Sequence, residues 1–472
     1  MKKRDFLKLT GLGGIGLAGS SLTQSCATGK SSAGLPEIKK QAASSHRQTF
    51  NMSGYAAPKI DTVRIGYIGL GNRGGGAIKR IVYLDNVEVK ALCDIRPENV
   101  TAARKTFEGT SHKPTLYSGE ENEWKKVCER DDIDLIYICT PWSLHAPMAL
   151  YAMEHGKHVA CEIPVATTVE DCWKLVETSE RTKKHCMMLE NCCYDFFELL
   201  TLNMARQGYF GEIIHVEGAY IHNIYDSFFD KNKRYDNWRL RENEKNGNLY
   251  PTHGLGPVCQ ALSINRGDRM DFLVSTASND FMIANKAHEM AQTDPVFKEF
   301  AGKTFRGNMN TTTIRTVNGK TIMLQHDVTS PRPYSRIHLI SGTKGTALKY
   351  PLPGRISKGH EWLSEEEYKV LEKKYEPKII TKIGELAKKV GGHGGMDFLM
   401  DWRLIDCLRN GLALDQDVYD AASWSVIAPL TEWSVANRSN SIDVPDFTSG
   451  SWKTNQPVDI EMSKGGNTTI KV

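Results

Sequence analysis

The pattern of hydrophobic and polar residues changes once along the chain, near residue 190. Between residues 59 and 190, short continuous apolar runs, such as 63–68, 87–93 and 133–139, alternate with segments of helical periodicity. Continuous apolar runs are typical of parallel strands that are buried on both faces. This rhythm predicts a doubly wound α/β domain over residues 59–190.

After residue 190 the apolar residues alternate with polar ones. Five segments show this period of two, at residues 213–220, 271–277, 310–317, 321–327 and 336–342. Such alternation is typical of antiparallel strands that have one covered face. Helical patterns flank these segments, so we expect an α+β domain over residues 191–472. Its large open sheet should be mainly antiparallel, and we expect the open face to carry the substrate.

The first apolar run ends in Gly69-x-Gly71-x-x-Gly74, and a helical pattern follows it. Gly69 permits a sharp turn, Gly71 leaves room for a pyrophosphate against the backbone, and Gly74 lets helix and strand pack closely. The second run ends in Asp94, about 20 residues further on, where a carboxylate can bind a ribose hydroxyl. A carboxylate there would repel a 2′-phosphate. These features predict a Rossmann domain that binds NAD rather than NADP.

The other loops that follow predicted strands should lie at the same edge of the sheet, where this fold binds its ligand. For His145, a structural position beside a helix start is the alternative to cofactor binding. Besides Gly69, Gly71 and Asp94, the residues expected to bind the cofactor are Asn72, Arg73, Trp142, Ser143, Leu144, His145, Glu162, Ile163, Asn191 and, from the second domain, Trp238.

Composition excludes several classes of function. The net charge of +4 over 472 residues gives no argument for binding nucleic acid or a membrane surface. Past the N-terminus, no apolar run reaches the roughly 20 residues of a membrane-spanning helix. None of the 11 cysteines shows metal-ligand spacing. His393 and Asp397 are four residues apart at a helix start but lack a third ligand, so we expect a capping or substrate role and no metal.

Residues 1–30 differ from the rest of the chain. Lys2, Lys3 and Arg4 precede a Gly- and Leu-rich apolar stretch at residues 9–22, the arrangement of an export signal. The segment resembles a twin-arginine signal with Lys3 in place of the first arginine, so we expect an exported protein at the periplasm or outer surface. Whether Cys26 carries a lipid anchor stays open. Residues 31–58 show no period and are predicted to be a linker or an N-terminal arm.

The order of the two domains resembles that of the Gfo/Idh/MocA oxidoreductases. Those dehydrogenases usually carry Glu-Lys-Pro near the nicotinamide, whereas this chain has Glu162-Ile163-Pro164. Isoleucine cannot move a proton, which counts against an ordinary sugar dehydrogenase. Between about residues 59 and 452, several segments resemble glycoside hydrolase family 109 more closely: Glu190-Asn191-Cys192-Cys193-Tyr194, Asn237-Trp238-Arg239, Tyr250-Pro251-Thr252-His253-Gly254, Arg332-Pro333-Tyr334 and Gly392-His393-Gly394-Gly395-Met396-Asp397.

The resemblance implies an NAD-dependent α-N-acetylgalactosaminidase. In the chemistry of that family, NAD⁺ takes a hydride from sugar C3, a base removes the C2 proton, and the C1–O bond breaks by elimination. Water then adds and the hydride is returned, so the cofactor is regenerated and can stay tightly bound. The pair of carboxylates that ordinary glycosidases use is not required. Two alternatives stay open: an exported sugar oxidoreductase with net redox turnover, and a carbohydrate-binding protein with structural NAD.

The resemblance also assigns roles in the second domain. Tyr220 is the first candidate for proton transfer and would need a cationic neighbour, which Arg239 could provide if it does not bind substrate oxygens instead. His253 is the second candidate, since imidazole suits proton transfer near neutral pH. The alternatives without a catalytic role are an ordinary half-buried strand tyrosine for Tyr220 and a structural histidine for His253. The residues expected at the sugar are Tyr220, Arg239, Tyr250, Pro251, Thr252, His253 and Tyr334. The exposed face of the sheet is a candidate surface for a homo-oligomer.

Overall fold

A computed structural model describes residues 35–230 and 235–471. The predicted export signal and Cys26 lie outside these residues. Within them, no helix is both long enough and apolar enough to cross a membrane.

The first domain is built on a six-stranded sheet whose strands are all parallel. The strand order is β3-β2-β1-β4-β5-β6, so the order reverses between β1 and β4 and opens a crevice there. The strands are β1 Val63–Ile68, β2 Val87–Asp94, β3 Thr115–Ser118, β4 Leu135–Ile138, β5 His158–Cys161 and β6 Cys186–Met188. The helices up to this point are α1 Leu35–Ala42, α2 Asn72–Ile81, α3 Pro97–Lys105, α4 Glu123–Cys128, α5 His145–Glu154 and α6 Val169–Thr182.

The second domain is built on a nine-stranded sheet in the order β14-β13-β12-β11-β7-β10-β9-β8-β15. All pairs are antiparallel except β7 and β10, which run parallel. The strands are β7 Ile213–Ile221, β8 Met270–Ala277, β9 Asn310–Thr316, β10 Thr321–Asp327, β11 Leu339–Gly342, β12 Thr346–Leu348, β13 Arg355–Lys358, β14 Glu361–Trp362 and β15 Ile442–Asp443. The helices are α7 Phe196–Arg206, α8 Trp238–Glu242, α9 Thr252–Ala261, α10 Ile283–Thr293, α11 Glu365–Tyr375, α12 Lys378–Val390, α13 Met396–Asn410, α14 Val418–Ser425 and α15 Ile427–Ala436.

Helix α9 lies directly on strand β7. A Cβ added to Gly218 would come 2.3 Å from the carbonyl oxygen of Gly254, so only a pair of glycines permits this approach. Tyr220 lies two residues beyond Gly218 and therefore on the same, covered face of the sheet. The prediction that the open face carries the substrate does not extend to Tyr220, which lies on the covered face beside α9.

Two other local predictions need correction. The strand predicted from residue 336 begins only at Leu339, because Ile337 and His338 have φ values of 57° and 50° that interrupt an extended strand. The segment predicted as a linker or arm contains α1 and is an anchored arm. The buried Glu180 carboxylate accepts hydrogen bonds from the Thr49 backbone (2.8 Å) and the Tyr419 hydroxyl (2.9 Å).

Helix α13 of the second domain contacts the glycine-turn helix α2 of the first. Arg80 in α2 donates to Asp401 in α13 at 2.7 Å, and the Tyr137 hydroxyl of β4 donates to the same carboxylate at 2.8 Å. All three side chains are buried. The two domains therefore meet at the crevice edge through hydrogen-bonded charges.

Candidate active site

The glycine turn between β1 and α2 has the shape that a dinucleotide requires. Gly69 has φ +87°, and a Cβ there would lie 2.7 Å from the Cys139 carbonyl. A Cβ on Gly74 would lie 1.9 Å from the Gly69 oxygen. At Gly71, by contrast, the nearest atom is 3.9 Å away, on Arg96. The open space at Gly71 and the start of α2 beside it fit a pyrophosphate.

Asp94 lies at the C-terminal end of β2, where the ribose of a dinucleotide would lie. Its carboxylate accepts hydrogen bonds from the Leu70 backbone (2.7 Å), the Arg96 backbone (2.9 Å) and the Asn99 side chain (3.0 Å). Leu70 lies inside the glycine turn, so Asp94 fixes the turn as well as offering oxygen atoms to a ligand.

Asp397 is the centre of a charged network beside the glycine turn. Asn191 donates to it at 2.5 Å, His393 at 2.9 Å, and Arg73 lies 3.3 Å from the same carboxylate. Arg73 also contacts Glu162, at 2.7 Å. Burial opposes the charge on Asp397, but His393 and the neighbouring arginines hold its pKa well below the usual range. Three predicted cofactor residues (Arg73, Glu162 and Asn191) are thus connected to the second domain.

The remaining predicted cofactor residues, in the loops after β1, β4 and β5, differ in exposure. Asn72, Ser143 and Leu144 are exposed, whereas His145 and Ile163 are buried. The His145 ring nitrogens lie 2.7 Å from the carbonyls of Thr140 and Pro164. This arrangement favours the structural role for His145, because its ring joins two loops at the strand ends.

Three aromatic side chains form a cluster around the Arg239 guanidinium. Its carbon lies 4.9 Å from the ring of Trp142, 5.0 Å from Trp238 and 5.6 Å from Tyr250. Trp142 stacks on Tyr250 at 5.5 Å. Asn237, with φ 48°, begins α8 and turns Trp238 and Arg239 towards the first domain. Cation–π contacts of this kind hold a guanidinium in place without neutralising it.

Tyr220 lies at the end of β7, 4.6 Å from the ring of Tyr250 and 5.2 Å from that of His253. Its hydroxyl lies 2.8 Å from Nδ1 of His222. Burial lowers the pKa of His222, and the charges of His253, Arg239 and His393 lower it further. A neutral His222 can therefore accept a hydrogen bond from the tyrosine.

His253 is the second residue of α9, and a hydrogen bond to Glu190 fixes the orientation of its ring. Nδ1 donates to Oε1 of Glu190 at 2.7 Å, and the Cys192 backbone donates to the same carboxylate at 3.0 Å. Glu190 is fully buried, yet its pKa is lowered, because the charge and hydrogen bond of His253 outweigh the cost of burial. Pro251 and Thr252 precede His253 and are buried, so they shape the helix start.

Tyr334 lies beside His222, next to the two proton-transfer candidates. It is 38% exposed, and its ring lies 4.9 Å from that of His222. Arg336 donates to its hydroxyl at 3.0 Å. Arg336 is itself held by the half-buried carboxylate of Asp195 (2.6 Å) and the buried carboxylate of Glu198 (2.7 Å). The substrate candidates Tyr220, Tyr250 and His253 thus contact one another, Tyr334 joins them through His222, and Arg239 lies against Tyr250.

Two family models match the chain. The model described as "Glycosyl hydrolase 109, C-terminal domain" matches residues 194–454. The chain belongs to glycoside hydrolase family 109. The model described as "Oxidoreductase family, NAD-binding Rossmann fold" matches residues 63–190. The predicted family, the fold class and an NAD-binding domain are thereby confirmed.

Two family 109 relatives cover most of the chain. Glycosyl hydrolase family 109 protein 1 of Bacteroides thetaiotaomicron is 50% identical over 413 residues, which are 84% of this chain and 86% of the relative. A protein of Bacteroides fragilis named alpha-N-acetylgalactosaminidase is 51% identical over 408 residues, which are 85% of this chain and 95% of the relative. The chain is thus an enzyme of the glycoside hydrolase class with an NAD-binding domain.

Solved structures share the fold of this family 109 chain at low identity. A levoglucosan dehydrogenase in complex with NADH has a TM-score of 0.59 at 16% identity and covers 81% of this chain and 99% of its own. The WlbA dehydrogenase of Bordetella pertussis, in complex with NADH and UDP-GlcNAcA, has a TM-score of 0.59 at 17% identity and covers 82% and 99%. This likeness shows the architecture alone.

Sequence reasoning missed the partners of both catalytic candidates in the family 109 site. His222 directly follows β7, two residues after Tyr220, and that spacing could have identified it. Glu190 lies just after β6 and before Asn191, 63 residues from its partner His253, and nothing in the local sequence indicates that pair.

One cluster of potential metal ligands occurs in the described residues: Glu190, Cys192 and His253, whose ligand atoms lie within 4.8 Å of one another. Burial raises the pKa of the Cys192 thiol well above its usual range, whereas a thiol ligand must be deprotonated. The Glu190–His253 hydrogen bond already explains the proximity of the other two side chains.

Proposed function

We propose that this chain hydrolyses terminal α-linked N-acetylgalactosamine, or a related glycoside, with NAD that stays bound and is regenerated in each cycle. The observation that carries the proposal is the pairing of two proton-transfer groups, Tyr220 with His222 and His253 with Glu190, with the rings of Tyr220 and His253 5.2 Å apart. The relative named alpha-N-acetylgalactosaminidase supports the choice of sugar.

The first domain fits the cofactor through the space at Gly71, the Asp94 carboxylate and the Arg73–Asp397 network. When bound, NAD would supply reversible hydride acceptance, so that oxidation and reduction of the sugar cancel over one turnover. The residue before Pro164 is the buried, apolar Ile163, which has no proton to give. Proton transfer therefore falls to side chains of the second domain.

Tyr220 is the proposed base for the proton on the ring carbon beside C1. Its hydroxyl can release its own proton towards His222 Nδ1, 2.8 Å away. Because burial and nearby positive charges keep His222 neutral, its Nδ1 lone pair is free to accept the hydrogen bond through which the tyrosine's proton is shared. Tyrosine and histidine then act as one unit with a single mobile proton.

His253 is the proposed proton donor to the leaving oxygen. Its Nδ1–H is committed to the Glu190 carboxylate, which leaves Nε2 as the nitrogen that exchanges protons with the substrate. A buried carboxylate behind an imidazole fixes its orientation and stabilises the protonated ring. Tyr250, Tyr334 and Arg239 provide walls and hydrogen-bond donors for the sugar.

The proposal extends to the setting of the enzyme. An exported protein has no soluble NAD pool, so the cofactor would have to be retained from the site of folding. The twin-arginine-like segment at residues 1–30 would export a folded, loaded enzyme, with or without a lipid at Cys26. A homo-oligomer through the open sheet face remains part of the proposal.

The test is an assay of the purified protein with p-nitrophenyl α-N-acetylgalactosaminide and no added NAD. We expect release of nitrophenol with no net NADH. Accumulation of NADH with a ketosugar would support the alternative, an exported sugar oxidoreductase with net redox turnover. No release from a wide panel of aryl glycosides would refute the glycosidase.

A further inference from the structure

Arg306 is a fully buried arginine without a carboxylate partner among the described residues. Its Nη2 donates to the carbonyl of Asn308 at 2.8 Å, and its Nη1 lies 3.0 Å from Nδ1 of His326. Asp327 and Asp280 act on it only at longer range, and burial lowers its pKa to about 10. Burying a guanidinium without an anion costs stability, so its position calls for an explanation.

His326 connects this arginine to the catalytic tyrosine. In the parallel pairing of β10 with β7, His326 is the direct neighbour of Tyr220. The two rings are nearly parallel, at 20°, with centroids 6.2 Å apart. His326 lies on the covered face, behind the tyrosine, and is 2% exposed.

The contact with Arg306 fixes the tautomer of His326. A guanidinium has only donors, so Nδ1 of His326 must be the acceptor and the ring proton must lie on Nε2. The backbone of Gly247 provides the acceptor for that proton. Gly247 begins the loop that leads to Tyr250 and His253. One imidazole thus contacts the strand of Tyr220, the loop of His253 and a buried cation.

We propose that Arg306 and His326 are positioning residues that hold Tyr220 and the 247–253 loop together and place a permanent positive charge behind the tyrosine. The inference rests on the proposed glycosidase, in which Tyr220 must release and regain a proton. A cation on the far side of the ring favours the phenolate over the phenol. A neutral His326 transmits this field without competing for the proton.

Several other described charged or titratable groups lie near Tyr220. Asp327 follows His326 on β10, and its charge opposes that of Arg306. His222 directly follows β7, His253 on α9 is paired with Glu190, and Tyr250 precedes α9. Arg239 on α8 lies behind Tyr250, within the aromatic cluster. Arg306 and Arg239 are the two arginines of this set, and Arg306 lies on the β10 side of the tyrosine, beyond His326.

The test compares Arg306→Gln, Arg306→Lys and the control Arg315→Gln, which removes an exposed arginine of the neighbouring strand β9. For Arg306→Gln we expect kcat to fall roughly 10- to 100-fold with KM nearly unchanged. The acid limb of the pH–kcat/KM profile should move up by about one pH unit. Arg306→Lys should return the acid limb to its wild-type pH, and Arg315→Gln should leave the limb unchanged. A fall in kcat without a shift of the limb would overturn the proposal.

A second measurement needs neither activity nor a folded variant at Arg306. Nitrogen-15 spectra of histidine-labelled wild-type protein, with the His326 signal assigned from His326→Gln, report the tautomer. We expect His326 to carry its proton on Nε2 at every pH between about 5 and 9, because burial and Arg306 hold its pKa well below the usual value. An Nδ1–H tautomer of His326, or a titration of His326 in this pH range, would refute the proposed Arg306–His326 pair. If wild type cleaves no glycoside, the proposed function fails while this result still decides the inference.

Discussion

The proposed cofactor-binding half and the proposed substrate-binding half of the site are formed by different parts of the chain, the backbone in the first and side chains in the second. The cofactor half depends on backbone shape: Gly69, Gly71 and Gly74 form the turn, and Asp94 holds it through main-chain hydrogen bonds. The substrate half depends on paired side chains, Tyr220 with His222 and His253 with Glu190. The shape of a site made by the backbone is determined by the local sequence, so substitutions outside its glycines should alter it little. A side-chain site is specified by contacts across the fold, so single substitutions should remove chemistry without removing the fold.

The largest loss of activity is expected from a substitution that fills the space for the cofactor at Gly71. Gly71→Val adds side-chain atoms to a space that only a ligand would fill, so the protein should fold but lose NAD. Activity should fall to background, and the cofactor content, measured by absorbance after heat release, should be near zero. The control is Gly75→Ala, whose Cβ would meet only an ordinary contact at 3.6 Å. Normal NAD content in Gly71→Val would contradict the backbone account.

Next in size is the loss of the tyrosine hydroxyl. Tyr220→Phe removes the atom that bonds to His222, and kcat should fall roughly 10²- to 10⁴-fold, the range for general acid–base catalysis. The NAD content should match wild type, since the change leaves the cofactor half intact. Tyr83→Phe, at an exposed tyrosine, serves as the control for kcat and NAD content. Full activity in Tyr220→Phe would remove it from proton transfer.

His253→Ala should lose most turnover and still co-purify with NAD. The expected fall in kcat is roughly 10²-fold, because the leaving oxygen loses its proton donor. A leaving group of low pKa, such as a nitrophenol, should suffer less than a sugar or an alcohol. Equal losses on both kinds of substrate, or none, would exclude the role of His253 as proton donor.

The smallest effect, and the one that tests the junction, is expected at Asp397. Asp397→Asn weakens the network with Arg73 and His393, so NAD should dissociate faster, and unfolding should become easier by about 3 kcal/mol at pH 7. The folded-state pKa of Asp397 is depressed, so its contribution to stability is fully present above the unfolded pKa of about 4 and is lost as pH falls below it.

The denaturation midpoints of wild type and Asp397→Asn should therefore differ at pH 5–7 and converge below about pH 4. Asp61→Asn, at an exposed aspartate, is the matched control and should follow wild type throughout. A difference that persists unchanged in acid would show that the ionised carboxylate is not the source of the stability.

The difference between the halves also explains what could be predicted from the sequence. The glycine turn and Asp94 were predicted because a βαβ unit places them through local geometry. The five strands β7–β11 of the second domain were predicted from alternation, apart from the break at Ile337 and His338, whereas the short strands β12–β15 were not predicted. The Glu190–His253 and Arg306–His326 pairs depend on the packing of α9 and β10 against β7, which no local pattern encodes. The position of Tyr220 on the covered face was missed for the same reason, since it depends on the Gly218–Gly254 contact of β7 with α9.

The most direct test of the central claim is turnover in heavy water. If Tyr220 and His222 remove a ring proton beside C1 and a solvent proton later replaces it, the N-acetylgalactosamine released should carry deuterium at C2. Mass spectrometry and proton NMR of the product measure this. We predict nearly complete incorporation at C2 with no deuterium in unreacted glycoside at low conversion. A product without deuterium at C2 would contradict the account, because it would mean direct displacement at C1.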